Sequence, residues 1–157
     1  MAEELAFVAL GSNLGDSQSI IASAIAAIQL LTDAPLLRSS LLPTAPVDCP
    51  PGSPPFLNAV VALRPRPSET PRSLLVKLQA LEKDFGRQAK RVLNEPRPLD
   101  LDLIAFGSRH ESSLDLTLPH PRAHLRRFVL QPLNEIAPDF ILPGQSRSVI
   151  ELLRALP

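Results

Sequence analysis

Residues 99–106 read L-D-L-D-L-I-A-F, and the fold turns on whether this stretch is a strand. Apolar and acidic residues alternate one for one through Leu103, the period of an extended chain whose successive side chains point to opposite faces. As a strand it buries Leu99, Leu101 and Leu103 on one side and presents Asp100 and Asp102 together on the other. Toward the N-terminus, residues 87–98 are basic and aperiodic and read as a loop. Gly86 ends a helix whose Leu74, Leu78, Leu81 and Phe85 share one face, opened by Ser68 or Thr70 with Pro71 in its first turn. Before that helix stand two apolar runs, 36–42 (L-L-R-S-S-L-L) and 57–63 (L-N-A-V-V-A-L), both read as strands. Residues 43–55 between them carry six prolines; proline cannot donate to a ladder, so this is a stiff loop. Residues 5–10 (L-A-F-V-A-L) read as a buried strand, and G-S-N-L-G-D turns the chain. Asp16 or Ser17 then caps a helix carrying Ile21, Ile25 and Ile28 on one face, which stops near Pro35.

The resulting order, βαββαβ, is an α+β, ferredoxin-like core: one antiparallel sheet with two helices on one face. A short helical C-terminal extension follows, with one or two helices around 122–136 and a last one from about 148. The 157 residues show no repeat and no linker and suit a single domain, 1–157.

Composition removes several classes of function. With 45% hydrophobic and 20% charged residues the chain is globular rather than disordered. Sixteen basic residues balance sixteen acidic ones, so bulk charge recruits neither nucleic acid nor a membrane surface. One cysteine, Cys49, leaves no disulfide framework and no C-x-x-C metal knuckle, which fits a reducing compartment. The first residues, M-A-E-E-L, put acids where a signal peptide needs positive charge. The longest nearly apolar run, 20–31, falls short of the ~20 residues that span a bilayer. A cytoplasmic protein is expected, and a monomer.

The chemistry begins with the acidic pair. On one strand face Asp100 and Asp102 stand roughly 7 Å apart, and at an effective dielectric of about 20 they repel by about 2–2.5 kcal/mol. A hard divalent cation offsets that, and two carboxylates hold Mg²⁺ where phosphates supply further ligands. Taken alone, the pair reads more simply as the solvated outer face of an edge strand. The flanks favour the metal: Arg87, Lys90, Arg91 and Arg97 precede it against a single acid, Glu95, and residues 118–131 carry Arg122, Arg126, Arg127, His120 and His124 with no acid. Arginine forks match phosphate oxygens. The chain has no Gly-Lys pair, hence no Walker-type loop, and no H-R-D triplet. His120 and His124 lack a third zinc ligand. Phe56, beside Asn58, and Phe128, after Arg126 and Arg127, lie outside the regular apolar patterns. They are either core or a clamp for a flat heterocycle whose edge Asn58 could read.

Taken together, A-L-G-S-N-L-G-D (9–16), F-L-N-A-V (56–60), P-R-P-L-D-L-D-L-I (96–104), L-P-H-P-R (118–122) and R-F-V-L-Q-P-L-N-E-I-A-P-D (127–139) resemble the 6-hydroxymethyl-7,8-dihydropterin pyrophosphokinase family of folate biosynthesis, across essentially the whole chain. The resemblance implies transfer of an intact pyrophosphoryl group from ATP to the pterin hydroxymethyl oxygen, leaving AMP. It implies that Asp100 and Asp102 bind two Mg²⁺ ions and that Arg87, Arg97 and Lys90 sit on phosphate oxygens, with His120 and Arg126 also on the triphosphate. Leu75, Gln79, Glu82, Leu103 and Thr117 would form the nucleotide pocket. Phe56 and Phe128 would sandwich the pterin, with Asn58 and the backbone at Thr44 and Val47 reading its edge. The chain departs from the family in carrying Ala89 where many members have Arg, Asn94 where they have Trp, and Pro121 where they have Tyr. Two rivals stand beside this reading: a ferredoxin-like nucleic-acid-binding module without catalysis, and a kinase that moves only the γ-phosphoryl group.

Overall fold

Strand β1 (Ala6–Ser12) lies at the middle of the sheet, paired antiparallel to β4 (Phe56–Leu63) on one side and to β5 (Asp100–Phe106) on the other. The computed structural model describes residues 4–45, 51–52, 54–86 and 98–157. Beyond β4 lie β2 (Leu37–Arg38) and β3 (Leu42–Thr44), giving the order β2-β4-β1-β5 with β3 also on β4. Helices α1 (Ser17–Gln29) and α2 (Pro71–Asp84) complete the ferredoxin-like core.

Local sequence explains both helix starts. The Asp16 side chain accepts the Ser19 N–H, and Thr70 forms a capping box with Ser73 ahead of Pro71. Gly86, at φ 90°, takes the left-handed conformation that closes α2. The D-F-G triplet at 84–86 is therefore a helix terminus, not a kinase metal loop.

Alternation sorts the sheet into two cores. Ala6, Val8, Leu10, Ala59, Val61, Leu63, Leu101 and Leu103 pack under Ile21, Ile25 and Ile28 of α1 and Leu74 and Leu78 of α2. The opposite face carries Phe7, Val60, Ala62, Ile104 and Ala105, and the C-terminal extension covers it. That extension is a 3-10 turn (Ala123–Leu125), α3 (Arg127–Ile136) and α4 (Val149–Ala155), with Val129, Leu130, Leu133, Val149 and Leu152 buried against the sheet. Each such buried aliphatic contributes about 1.5–3 kcal/mol, so the extension is part of the core. Two helices lie on one face, as expected, and the extension takes the other.

Three departures from strict alternation matter. The expected strand 36–42 is two strands, because residues 39–41 stand opposite only 59–60 and bulge between β2 and β3. β5 carries a second bulge: Leu103 pairs with Val8 and Ala105 with Phe7, so Ile104 is extra and shares the second face with Ala105. A small hairpin, β6 (Glu111–Ser112) with β7 (Thr117–Leu118), follows β5 unannounced by any apolar period. The Arg72 guanidinium holds it to α2 with two bonds to Asp115, at 2.8 and 3.0 Å, and one to Ser113 at 2.8 Å.

Candidate active site

The second face is covered for only part of its length. The cross-strand partners Asn58, Gly11 and Asp100 form one row, beside the row Val60, Ala9 and Asp102, whose Val60 and Ala9 join the second core. With strands about 4.8 Å apart, Asn58 and Asp100 flank the bare backbone of Gly11. The two aspartates sit on this face, half-buried, while Leu101 and Leu103 point into the first core.

Gly11 gives the site its floor. A Cβ there would stand 3.3 Å from Asn58 Oδ1 and 3.7 Å from the Phe56 ring, so both side chains lean across it. Asn58 is held by β3: its Nδ2 donates to Thr44 Oγ1 at 2.8 Å and to the Leu42 carbonyl at 3.4 Å. Phe56 pairs with Thr44 across the β3–β4 ladder. Phe56, Asn58 and Thr44 are thus one unit.

The cationic side comes from the segment after β7. The His120 amide donates to the carbonyl of Ile104, the bulged residue of β5, at 2.8 Å. Its Nδ1 accepts the Arg122 N–H at 3.2 Å, so the neutral ring carries its proton on Nε2. Burial pushes the His120 pKa down, and Arg126 and then Arg122 push it the same way; Asp100 opposes them. The imidazole therefore favours the neutral form between two guanidinium groups and the acidic pair. The Arg126 guanidinium lies 5.3 Å from the centre of the Phe128 ring, whose side stands at the start of α3 with 36% of its surface exposed.

The remaining expected site residues are placed elsewhere. Leu75, Gln79 and Glu82 lie on α2, and Leu103 is buried in the first core, so their side chains are on the far side of the sheet from the aspartates. What they share is the outer edge of β5, which among the described residues pairs with β1 alone. The Leu101 N–H points to that edge and donates to Glu82 Oε2 at 2.8 Å. By strand parity the Leu103 amide and carbonyl face the same way. Thr117 is exposed on β7. Arg87, Lys90, Arg97 and Val47, with Arg91, Ala89 and Asn94, lie outside the described residues. Sequence reasoning missed Gly11 as the floor and Glu82 as a bond to the backbone. An acid one turn beyond Leu78 on the apolar stripe of α2 was the available sign.

A donor set of two carboxylates is hard and oxygen-only, which suits Mg²⁺ completed by phosphate oxygens and does not suit zinc. Among the described residues no group of three or more His, Cys, Asp or Glu could hold a metal. The sheet face that a nucleic-acid module would use for base stacking is occupied here by α3 and α4, and Phe7 and Phe106 are fully buried. No described helix is long and apolar enough to cross a membrane.

Fold and site together define an α+β phosphotransferase: two half-buried carboxylates share one sheet face, and Asp100 acts on a histidine that Arg122 and Arg126 also face. The family model for 7,8-dihydro-6-hydroxymethylpterin-pyrophosphokinase (HPPK) matches residues 7–138. The 2-amino-4-hydroxy-6-hydroxymethyldihydropteridine pyrophosphokinase of Synechocystis is 39% identical over 148 residues, covering 94% of this chain and 74% of that one. Its Pseudomonas aeruginosa namesake is 39% identical over 155 residues, covering 96% and 91%. Among solved structures, an HPPK-DHPS protein determined with substrates superposes with a TM-score of 0.77 over 99% of this chain at 12% identity. The Plasmodium falciparum HPPK-DHPS gives 0.74 over 98% at 13%. At those identities the likeness carries the fold, and this chain spans only 43% and 44% of those two proteins.

The chain belongs to the 7,8-dihydro-6-hydroxymethylpterin-pyrophosphokinase family. It is accordingly a diphosphotransferase of folate biosynthesis, and the reading as a nucleic-acid-binding module is set aside.

Proposed function

We propose that this chain, acting as one unit over residues 1–157 and as a monomer, moves pyrophosphate from ATP to 6-hydroxymethyl-7,8-dihydropterin on the uncovered half of its sheet. The observation that carries the reading is the row Asn58–Gly11–Asp100, which sets a heterocycle-reading amide and a metal-holding acid on either side of a bare backbone. Phe56 and Phe128 close on the pterin ring, and the Asn58 amide meets its edge beside Thr44 and Val47. Asp100 and Asp102 would hold Mg²⁺, two ions in this reading. When bound, the metal neutralises the triphosphate and polarises its phosphorus–oxygen bonds.

The protein's own groups then position and neutralise, which is most of what phosphoryl-type transfer requires. His120 presents its Nε2–H and Arg126 its guanidinium to the phosphate oxygens, joined by Arg87, Lys90 and Arg97. The adenine side of ATP lies along the outer edge of β5, between Leu75, Gln79 and Thr117. There Leu103 contributes its backbone rather than its buried side chain, and Glu82 holds the strand. The hydroxymethyl oxygen attacks the β-phosphorus, the bond from that phosphorus to the α-phosphate's bridging oxygen breaks, and AMP leaves. The hydroxyl proton passes to Asp102 or through it to water.

The test is to incubate the chain with ATP, Mg²⁺ and 6-hydroxymethyl-7,8-dihydropterin and resolve the nucleotides. AMP appearing in step with the pterin diphosphate supports the reading. ADP would mean transfer of the γ-phosphoryl group alone and would overturn it.

A further inference from the structure

Ser40 and Glu135 lie 95 residues apart in sequence and are bonded three ways. The Ser40 hydroxyl donates toward Glu135 Oε1 at 2.8 Å and Oε2 at 3.0 Å, and the Ser40 amide donates to Oε1 at 3.3 Å. Neither residue touches the acidic pair, and the E-I-A-P segment (135–138) has no role in the reaction above.

The bond joins β3's end of the sheet to α3, the two elements that carry Thr44 and Phe128 of the proposed pterin site. Ser40 is in the bulge between β2 and β3, and β3 carries Thr44, whose hydroxyl fixes the Asn58 amide. Glu135 is in the last turn of α3, seven residues from Phe128. Seven residues are close to two helical turns, so Phe128 and Glu135 lie on one stripe about 10 Å apart along the axis. Holding Glu135 therefore constrains how α3, seated on Val129, Leu130 and Leu133, is turned about its axis, and with it the direction in which Phe128 projects. The bulge supplies the other end. An extra residue in an edge strand frees the Ser40 amide from the ladder and lets it turn toward the helix.

We infer that the Ser40–Glu135 pair is a positioning clamp that sets the gap between the Phe128 wall and the Thr44–Asn58 wall of the cleft, and hence affinity for the flat ring substrate. The inference rests on the pterin reading of that cleft. Both partners are exposed, where such bonds contribute little to global stability. Their consequence is geometric and falls on one substrate.

The test compares Glu135→Ala, Glu135→Gln, Ser40→Ala and the Ser40→Ala/Glu135→Ala double variant, each checked for folding by circular dichroism. Glu135→Ala and Ser40→Ala should each raise KM for 6-hydroxymethyl-7,8-dihydropterin by about 3- to 10-fold. KM for MgATP and kcat should stay within about 2-fold. The double variant should be no worse than either single one, and Glu135→Gln, which keeps a carbonyl acceptor, should recover most of the loss. An unchanged pterin KM, equal losses for both substrates, or additive effects in the double variant would overturn the clamp. A wild-type chain that turned over no pterin would instead overturn the functional reading. In that case the clamp is judged by whether Glu135→Ala shifts the amide resonances of Leu42, Thr44 and Phe128 together, and no shift at either end rejects it.

Discussion

The carboxylate of Glu82, buried on α2, accepts the main-chain N–H of Leu101 at 2.8 Å, between the two aspartates of the sheet face. The bond closes the outer edge of β5, with which no further strand pairs among the described residues. It also fixes the strand segment on which Asp100 and Asp102 are mounted. A residue that the family resemblance assigns to a nucleotide pocket is thereby also a structural member of the acidic pair.

Replacing Glu82 by alanine strands a buried amide, which costs about 1–3 kcal/mol and lowers Tm by about 2–10 °C. Glu82→Gln keeps an acceptor and should lose less than half of that. Mg²⁺ titrations of ATP turnover should show a weaker apparent affinity in Glu82→Ala than in Glu82→Gln. Equal thermal stability of wild type and Glu82→Ala would show that the bond is immaterial.

Much of this site was legible in residues 99–103 alone. A strict two-residue period leaves no doubt which side chains share a face, and Asp100 and Asp102 lie as that period requires. The α2 start was equally legible, because Thr70, Pro71 and Ser73 act within one turn. The bulges at 39–41 and Ile104 were not, since one extra residue leaves composition and hydrophobicity unchanged while re-aiming everything after it. Nor were β6 and β7, whose two residues apiece are too short to show a period. Ser40–Glu135 escaped because a side-chain bond between distant segments has no local signature, and for Glu82–Leu101 the acid on the apolar stripe of α2 marks only one of the two partners.

If the acidic pair holds Mg²⁺ as proposed, Asp102→Asn removes one of its two hard-oxygen ligands and should cut turnover by about 10²- to 10³-fold, several kcal/mol of charge stabilisation. Raising Mg²⁺ should recover part of the loss, because the remaining carboxylate still binds metal weakly. Circular dichroism should be unchanged, the side chain being half-buried at the margin of the second core rather than inside it. Turnover at wild-type rates with the same Mg²⁺ dependence would exclude the pair from metal binding.

His120 titrates below its ordinary value of 6.5 through burial, then Arg126 and Arg122. Because the unfolded chain takes up this proton first, the folded state loses stability as pH falls below about 6.5 toward the lowered folded pKa. Above 6.5 the residue makes no difference. His120→Asn should flatten the stability–pH curve in that window only. In NMR titrations Arg126→Gln should move the imidazole midpoint of His120 upward, and a downward shift would contradict the arrangement.

Phe128 presents 36% of its surface to solvent with the Arg126 guanidinium 5.3 Å from its ring centre. Removing an exposed ring at the start of a helix should barely change Tm. Loss of stacking, about 0.5–1.5 kcal/mol, should raise the pterin KM by about 2- to 12-fold. Phe128→Leu should fall between wild type and Phe128→Ala. A ring that served only as core would reverse the pattern, lowering Tm while sparing KM.

Gly11→Ala places a methyl group 3.3 Å from Asn58 Oδ1 and 3.7 Å from the Phe56 ring. The backbone at Gly11 is ordinary strand with no left-handed φ, so the substitution carries no conformational penalty of its own. A contact at 3.3 Å is tight and gives way only if Asn58 moves. That side chain is tied to Thr44 Oγ1 at 2.8 Å, so its movement breaks the unit that faces the substrate edge. The variant should fold with Tm lowered by about 2–10 °C, about 1–3 kcal/mol being the usual cost of overpacking. Its pterin KM should rise, while ATP binding measured without pterin should be spared. Combining Gly11→Ala with Thr44→Val, which frees the amide to swing aside, should bring Tm back toward that of Thr44→Val alone without restoring the KM. If instead the double variant regained wild-type pterin affinity, Asn58 held by Thr44 could not be the group that reads the ring.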